Sequence, residues 1–321
     1  MRPDWLILHG GALGDLALTV QLALRLPPAD GRRRLHVISR SNPGNLSACR
    51  PGITRQSADA LGLHWLHGQE AGPAPDDVAG IIRGARVLNA LAGADSAVHQ
   101  RLEQLRPGLL VSFDPRPRPG LRRHITAQWL LDLESQGLLV PKCTHQHPQH
   151  RSLGVAAELR ENGGAVLRRA GAAPDTVLIH PGSGGRDKCW PFKNFRAVAE
   201  LLARHGQGVC FLIGPVELEW WPDDALAELT RGYPVLRLPS PDELAAALAA
   251  AHAVVANDSG PAHLAALLGT RTVTIFGPTS PNVWRPLGPG GQVVQGNPER
   301  CPSDWGIRPA QVAELLAAVP R

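Results

Sequence analysis

Three short segments concentrate side chains that could do chemistry. The run His180-Pro181-Gly182-Ser183-Gly184-Gly185-Arg186-Asp187-Lys188-Cys189-Trp190-Pro191 combines small residues, a hydroxyl and an ammonium. Backbone N–H groups left open by such small residues can form a nest for an anion, to which Ser183 adds a donor. Lys188 adds a compact charge able to follow a moving phosphate oxygen. A plain strand-to-helix connection needs only about two to six residues, so this longer loop has room for a ligand. The second segment, Asn257-Asp258-Ser259-Gly260-Pro261-Ala262-His263, reads as a helix start with proline in its first turn. N–H groups and the positive end of the helix dipole meet there, which suits an anion. Ser259 either donates to a phosphate or caps the helix, and His263 either meets the same anion or is a satisfied core residue. Two anion-suited loops, with Asp258 able to orient its neighbours, together point to a diphosphate.

The third segment is His9-Gly10-Gly11-Ala12-Leu13-Gly14-Asp15. Its glycines let a ligand approach the backbone closely. It lacks the Lys-Ser/Thr pair of a P-loop and the G-x-G-x-x-G spacing of a dinucleotide site, which disfavours a dehydrogenase. A carboxylate here would repel a bound phosphate, so Asp15 is either a helix N-cap or a general base. A fourth stretch, Cys143-Thr144-His145-Gln146-His147-Pro148-Gln149-His150, has metal-ligand types without a zinc spacing or a second pair, and reads as a solvated linker. No Asp-x-Asp stands at a strand end, so lysine, amides and helix dipoles are expected to hold the phosphates without a metal.

The elements that must position these loops follow from hydrophobic spacing. Short apolar runs alternate with amphipathic ones, the pattern of βα units around parallel sheets. In the first half, strands are predicted at 5–8, 35–38 and 109–113 and a helix at 15–26, while 64–108 shows no clear period. In the second half, strands are predicted at 176–180, 209–213, 235–238, 253–256 and 272–276. Helices follow at 192–205, 218–230, 241–250, 261–268 and 309–319. Residues 148–173 contain Gly163-Gly164 and read as the junction. Two doubly wound α/β domains are predicted, 1–171 and 172–321, each binding ligands outside the carboxyl ends of its strands.

With 321 residues and 43% hydrophobic content, the chain is too long for one ordinary core and too apolar for a disordered protein. Five widely spaced cysteines without a C-x-x-C pair fit a reducing, cytoplasmic compartment. No apolar run approaches the length of a membrane span. Of 33 basic residues only Lys142, Lys188 and Lys193 are lysines. The net charge of +5 lies wholly in residues 1–150, with 17 basic and 12 acidic side chains against 16 of each in the remainder. Arg116, Arg118, Arg122 and Arg123 crowd one short part of that half. Such an excess suits an anionic partner, and charge alone leaves nucleic acid open.

Taken together, Gly-Ala-Leu-Gly-Asp at 11–15, His-Pro-Gly-Ser with Lys-x-Trp-Pro at 180–191, Asn-Asp-Ser-Gly-x-x-His at 257–263 and Phe-Gly-Pro-Thr at 276–279 resemble glycosyltransferase family 9, which includes the ADP-heptose:lipopolysaccharide heptosyltransferases. The resemblance implies a GT-B architecture, two Rossmann-like domains facing across a cleft, with the acceptor on the first and the nucleotide sugar on the second. It further implies inverting, metal-independent transfer of heptose from ADP-heptose to a lipopolysaccharide core-type acceptor, an anionic glycolipid at a membrane face, with no cofactor and no nucleic-acid partner. Asp15 matches the base, and Lys188 matches the group that stabilises the departing diphosphate. Gly14, Ser183, Gly184, Asp258, Ser259, Gly260 and His263 match substrate-binding positions. Glu217 matches a carboxylate that hydrogen-bonds the ribose, and Leu238 and Pro239 lie where the base would meet main chain. The final helix, 309–319, is expected to pack back on the first domain, and the protein to be cytoplasmic or peripheral at the inner membrane face. Alternatives are the same fold with another nucleotide sugar or glycan, or a nucleotide-sugar binder without turnover. The run Thr19-Val20-Gln21 departs from the family pattern, where many members carry a proline.

Overall fold

The computed structural model describes residues 3–28, 34–68, 72–138, 152–173 and 175–317. The chain divides into two compact units, Met1–Gln149 and His150–Arg321.

In the first unit, strands β1 (Trp5–His9), β2 (Leu35–Ser39), β3 (Ile53–Ser57), β4 (Arg86–Ala90) and β5 (Leu109–Ser112) form a parallel sheet in the order β3-β2-β1-β4-β5. A parallel sheet is covered on both faces, which is why Leu6, Ile7 and Leu8 are all buried along consecutive positions of β1. His9 ends that strand, level with Ser39 on one side and Ala90 on the other. The chain runs from β1 out to β2 and β3, then returns to β4. The carboxyl end of β1 is thus the point where strand order reverses, and crevices form at such points.

The second unit repeats the plan. Strands β6 (Val177–His180), β7 (Val209–Ile213), β8 (Val235–Arg237), β9 (Ala253–Asn257), β10 (Thr272–Phe276) and β11 (Gly291–Gln295) lie parallel in the order β11-β10-β9-β6-β7-β8. Here β6 and β9 are adjacent across the reversal. The two anion-suited loops leave these two strands and so share one crevice. Beneath them, Trp190, Phe195, Phe211, Val255 and Ile275 form part of one apolar core.

Several sequence expectations change. The strands β3, β4 and β11 go unread in the sequence because Thr54, Arg55 and Gln56 are polar, β4 sits in a glycine-rich stretch, and β11 is an edge strand of which only Val294 is fully buried. The helix predicted at 218–230 is two helices, Pro215–Trp220 and Asp223–Thr230. Pro222 separates them by holding Trp221 extended, at φ −118° and ψ 141°. The units meet at 149/150 rather than at 171/172. Gly163-Gly164 lies inside the helix Ala157–Arg169, which packs on the helix Pro241–Ala250. A side chain at 163 would overlap the carbonyl of Ala246, so this glycine marks a close helix crossing and not a linker. The final helix, Pro309–Ala317, packs on Phe192–Arg204 within the second unit, where Val312 and Leu316 enter its core. The guanidinium of Arg271 donates to the carbonyls of Leu315 and, at 2.8 Å, Leu316, tying the helix there. The Cys143-to-His150 stretch lies outside the described residues.

Candidate active site

Asn257 shapes the long loop after β6. Its amide donates to the carbonyl of Pro181 at 2.7 Å while its oxygen accepts the Trp190 N–H at 3.0 Å, so one side chain clips both ends of the loop. Trp190, fully buried, anchors the far end through an indole N–H bond of 2.8 Å to the Asp304 carbonyl. Ser183 is buried and donates its hydroxyl to the carbonyl of Asp258 at 2.6 Å, joining the two loops. Gly184 is exposed at the loop's tip.

Asp258 organises the charges. Lys188 Nζ lies 3.3 Å from its Oδ2, Thr279 Oγ1 donates to the same oxygen at 2.9 Å, and His263 Nε2 lies 3.6 Å from Oδ1. Burial pushes this carboxyl upward, but His263, Lys188 and Thr279 outweigh it and hold the carboxyl below its ordinary range. It is therefore an anion at neutral pH.

The helix Gly260–Leu268 starts beside this cluster with Ser259 at its N-cap, and Ser259 makes no side-chain cap bond. Ser259 Oγ and His263 Nδ1 are both buried without a hydrogen-bond partner. Buried polar atoms are rarely left unpaired in folded proteins. Two of them at a helix N-terminus beside an ammonium describe a cradle for an anion with several acceptor oxygens.

Glu217 sits under the loop. It is 2% exposed, its Oε2 accepts the Gly214 N–H at 2.6 Å, and its Oε1 lies 4.0 Å from His180 Nε2. His180 Nδ1 donates in turn to the Leu212 carbonyl at 3.2 Å. A side chain at Gly182 would overlap the Glu217 carboxylate, so glycine is what allows the loop to lie over it. As placed, Glu217 caps the helix Pro215–Trp220 through Oε2, and its burial leaves little of the carboxylate open to a ribose. Leu238 follows β8 in left-handed backbone, φ 47°, and is 52% exposed. Cys189 is no nucleophile, because burial, then the charge of Glu217, pushes its thiol up to about 12.

In the first unit, Asp15 is not the N-cap of its helix. Ala12 holds that position in Leu13–Ala23, Gly14 is the second helical residue, and Asp15 follows in the first turn, half-buried. A side chain at Gly11 would lie 3.2 Å from Asp15 Oδ2 and 3.2 Å from the His9 ring, so the glycine leaves a small space between the two. His9 is 1% exposed and neither ring nitrogen has a partner. Burial lowers its pKa to about 4, keeping it neutral. Of the crowded arginines, Arg116 pairs with Asp114 at 3.2 Å and Arg118 with Asp132, while Arg122 and Arg123 are exposed. Among the described residues, no group of three His, Cys, Asp or Glu side chains is placed to hold a metal ion.

Asn257, Thr279, His180 and His9 thus enter the sites without having been singled out for a role. Asn257 and Thr279 stand within the motifs, but clipping and hydrogen bonding across strands leave no spacing signal in sequence.

The chain is similar to known proteins in sequence and in fold. Residues 123–305 match glycosyltransferase family 9 (heptosyltransferase). Lipopolysaccharide heptosyltransferase 3 of Escherichia coli is 32% identical over 123 residues, 37% of this chain and 36% of its own length. Lipopolysaccharide heptosyltransferase 1 of Pseudomonas aeruginosa is 36% identical over 109 residues, 34% of this chain and 30% of its own length. The chain therefore matches about a third of the length of these relatives. Among solved structures, a family 9 glycosyltransferase from Veillonella parvula superposes with a TM-score of 0.69 at 16% identity, covering 99% of both chains. The E. coli heptosyltransferase WaaC with ADP follows at 0.66 and 18%, again over 99% of both chains. At such identities the likeness is one of fold, and that fold is the GT-B type with two doubly wound parallel-sheet α/β domains. With the family's pattern matched over more than half of its length, the chain belongs to glycosyltransferase family 9.

Proposed function

We propose that the protein is an inverting, metal-independent glycosyltransferase that moves heptose from ADP-heptose to a lipopolysaccharide core-type acceptor. The observation that carries the donor half is the pair of buried, unpartnered atoms Ser259 Oγ and His263 Nδ1 beside Lys188 at the start of the Gly260–Leu268 helix. A nucleoside diphosphate would supply acceptor oxygens to both, and to the open N–H groups of that helix. WaaC, whose fold this chain shares, is described with ADP and with ADP-2-deoxy-2-fluoro heptose.

In the proposed reaction, the Asp15 carboxylate takes the proton of an acceptor hydroxyl as that oxygen forms its bond to the anomeric carbon. The bond from that carbon to the diphosphate oxygen breaks on the opposite side, inverting the centre. The electron pair leaves on the β-phosphate, where Lys188 and the helix N–H groups meet the new charge. Ser183 and Gly184 shape the loop around this phosphate, and Glu217 supports it from beneath Gly182. Charge neutralisation by these groups replaces the role a divalent ion could play.

The acceptor is proposed to be an anionic glycolipid reached at the inner membrane face, with Arg122 and Arg123 as the cations left free for it. No helix among the described residues is long and apolar enough to cross a membrane. The same fold serving another nucleotide sugar is separated by a thermal-shift screen of ADP, UDP, GDP and CMP. Stabilisation by UDP and not by ADP would remove the heptose reading. A binder without turnover is separated by Asp15→Asn, which should keep donor binding and abolish transfer; persisting transfer would overturn the base assignment.

A further inference from the structure

The loop 183–190 is fixed at both ends and free between them. Ser183 is tied to the Asp258 carbonyl at 2.6 Å, Lys188 Nζ lies 3.3 Å from the Asp258 carboxylate, and the Trp190 indole bonds the Asp304 carbonyl. Between these anchors run Gly184, Gly185, Arg186 and Asp187, none of them buried, and a side chain at Gly184 would meet only open space. Arg186–Lys188 forms one turn of 3₁₀ helix. With about three residues to such a turn, positions two apart point to different sides. Lys188 goes to Asp258, and Arg186 goes outward to Trp220.

Arg186 is a cation held without a counter-charge. Its guanidinium carbon lies 5.7 Å from the Trp220 ring centroid, and one of its nitrogens donates to the Trp220 carbonyl. Among the described residues no carboxylate pairs with it. Trp220 itself is half-buried at the end of the helix Pro215–Trp220, with its ring 5.9 Å from that of Trp221.

The charge balance around the loop leaves a cation missing. Lys188 is already compensated by Asp258, and the carboxylate of Glu217 lies buried beneath Gly182 with no lysine or arginine paired to it among the described residues. A nucleoside diphosphate would add two negative phosphoryl groups to this site. Lys193 is exposed as well, but it lies beyond the Trp190 anchor, within the helix Phe192–Arg204, and does not move with the loop. Arg186 does. An exposed cation–π contact is weak, whereas a guanidinium forks onto phosphate oxygens through two charge-assisted hydrogen bonds. A 3₁₀ rise of about 2 Å per residue keeps its backbone within about 4 Å, along the axis, of that of Lys188, so its long side chain can turn back over the glycines to the same phosphates.

We infer that Arg186 is the mobile cation of the donor site: resting on Trp220 in the free protein, it leaves that ring when a nucleoside diphosphate enters and forks onto the phosphate oxygens beside Lys188. The inference rests on the donor reading proposed above and adds to it a contact that the free protein does not make.

Calorimetry on the full chain in EDTA, with ADP and adenosine as probes, tests it. Arg186→Gln should weaken ADP about tenfold and leave adenosine unchanged. Trp220→Leu removes the resting place and with it the competing state, so ADP should bind as tightly as before or more so. ADP should also change the Trp220 emission, read as the difference between wild type and Trp220→Phe, and Arg186→Gln should abolish that change. Unaltered ADP affinity in Arg186→Gln would overturn the inference. So would equal weakening by Trp220→Leu, which would make the contact a brace for the loop, and so would ADP binding that appears only with Mg²⁺, which would give the missing charge to a metal. Failure of the wild type to bind ADP under either condition would instead remove the donor reading, and this inference with it.

Discussion

Lys188 and Asp258 stand 3.3 Å apart, an ammonium held by a buried carboxylate that Thr279 and His263 also address. The cation that would meet a leaving diphosphate is thus fixed in advance, and preorganised charge of this kind needs no reorganisation during reaction. Lys188→Met is expected to lower kcat by about 10²- to 10³-fold, or roughly 2.7–4 kcal/mol, in steady-state transfer assays. Asp258→Asn acts through Lys188 and His263, whose positions it holds, and should cost less. A larger loss for Asp258→Asn than for Lys188→Met would contradict that order.

Gly182 and Glu217 form a second fixed contact. Gly182→Ala has to displace a buried carboxylate bonded to the Gly214 N–H. Overpacking of this kind costs about 1–3 kcal/mol. Weaker ADP binding and a lower melting temperature are expected together, since the displaced side chain supports the loop. A variant with unchanged ADP affinity would show that the loop does not depend on Glu217.

Buried His9 makes stability depend on pH. Its folded-state pKa, about 4, lies below the ordinary 6.5. The unfolded chain therefore takes up a proton first as pH falls, so the folded state is favoured most above 6.5 and loses ground down to 4. By pH 5 the loss from this one group is about 2 kcal/mol. His9→Leu should flatten the difference between denaturation midpoints at pH 7 and pH 5, and parallel curves for the two proteins would refute the assignment.

Gly163 and Gly164 should respond in opposite directions to alanine. Replacing a helical glycine by alanine ordinarily gains about 0.8–1 kcal/mol. At 164 the new methyl group meets only the end of the flexible Arg168 side chain, at 3.3 Å, so the gain should appear as a higher melting temperature. At 163 it would strike the main chain of Ala246, and a loss of about 1–3 kcal/mol should outweigh the gain. Stabilisation by Gly163→Ala would mean the two helices cross less closely.

Reversal of the free arginines tests membrane-face binding. Arg122→Glu with Arg123→Glu should reduce transfer to acceptor embedded in anionic vesicles, with little effect on a soluble oligosaccharide acceptor. The difference should shrink as salt shortens the range of the charges, about 10 Å at 0.1 M. Equal losses with both acceptors would place these residues elsewhere in the mechanism.

Much of the architecture was legible in the residues because parallel strands buried on both faces leave continuous apolar runs, as in Ala253–Asn257, where all five positions are buried. The loops bearing Asp15, Lys188 and His263 were legible too, since glycine, proline and charge cluster where a strand hands over to a helix. Gly163 was misread because glycine in sequence signals either a linker or a tight crossing, and only the position of Ala246 separates the two.

By itself, the sequence determined the class of the fold and the family, because those depend on residue type and local order. Tertiary structure alone decided which groups meet. Strand order β9-β6 brings Asp258 to Lys188 across 70 residues of chain, burial leaves His9 and Ser259 without partners, and ion pairing withdraws Arg116 and Arg118 from the basic surface. Those relations depend on distance through space, which spacing along the chain does not encode.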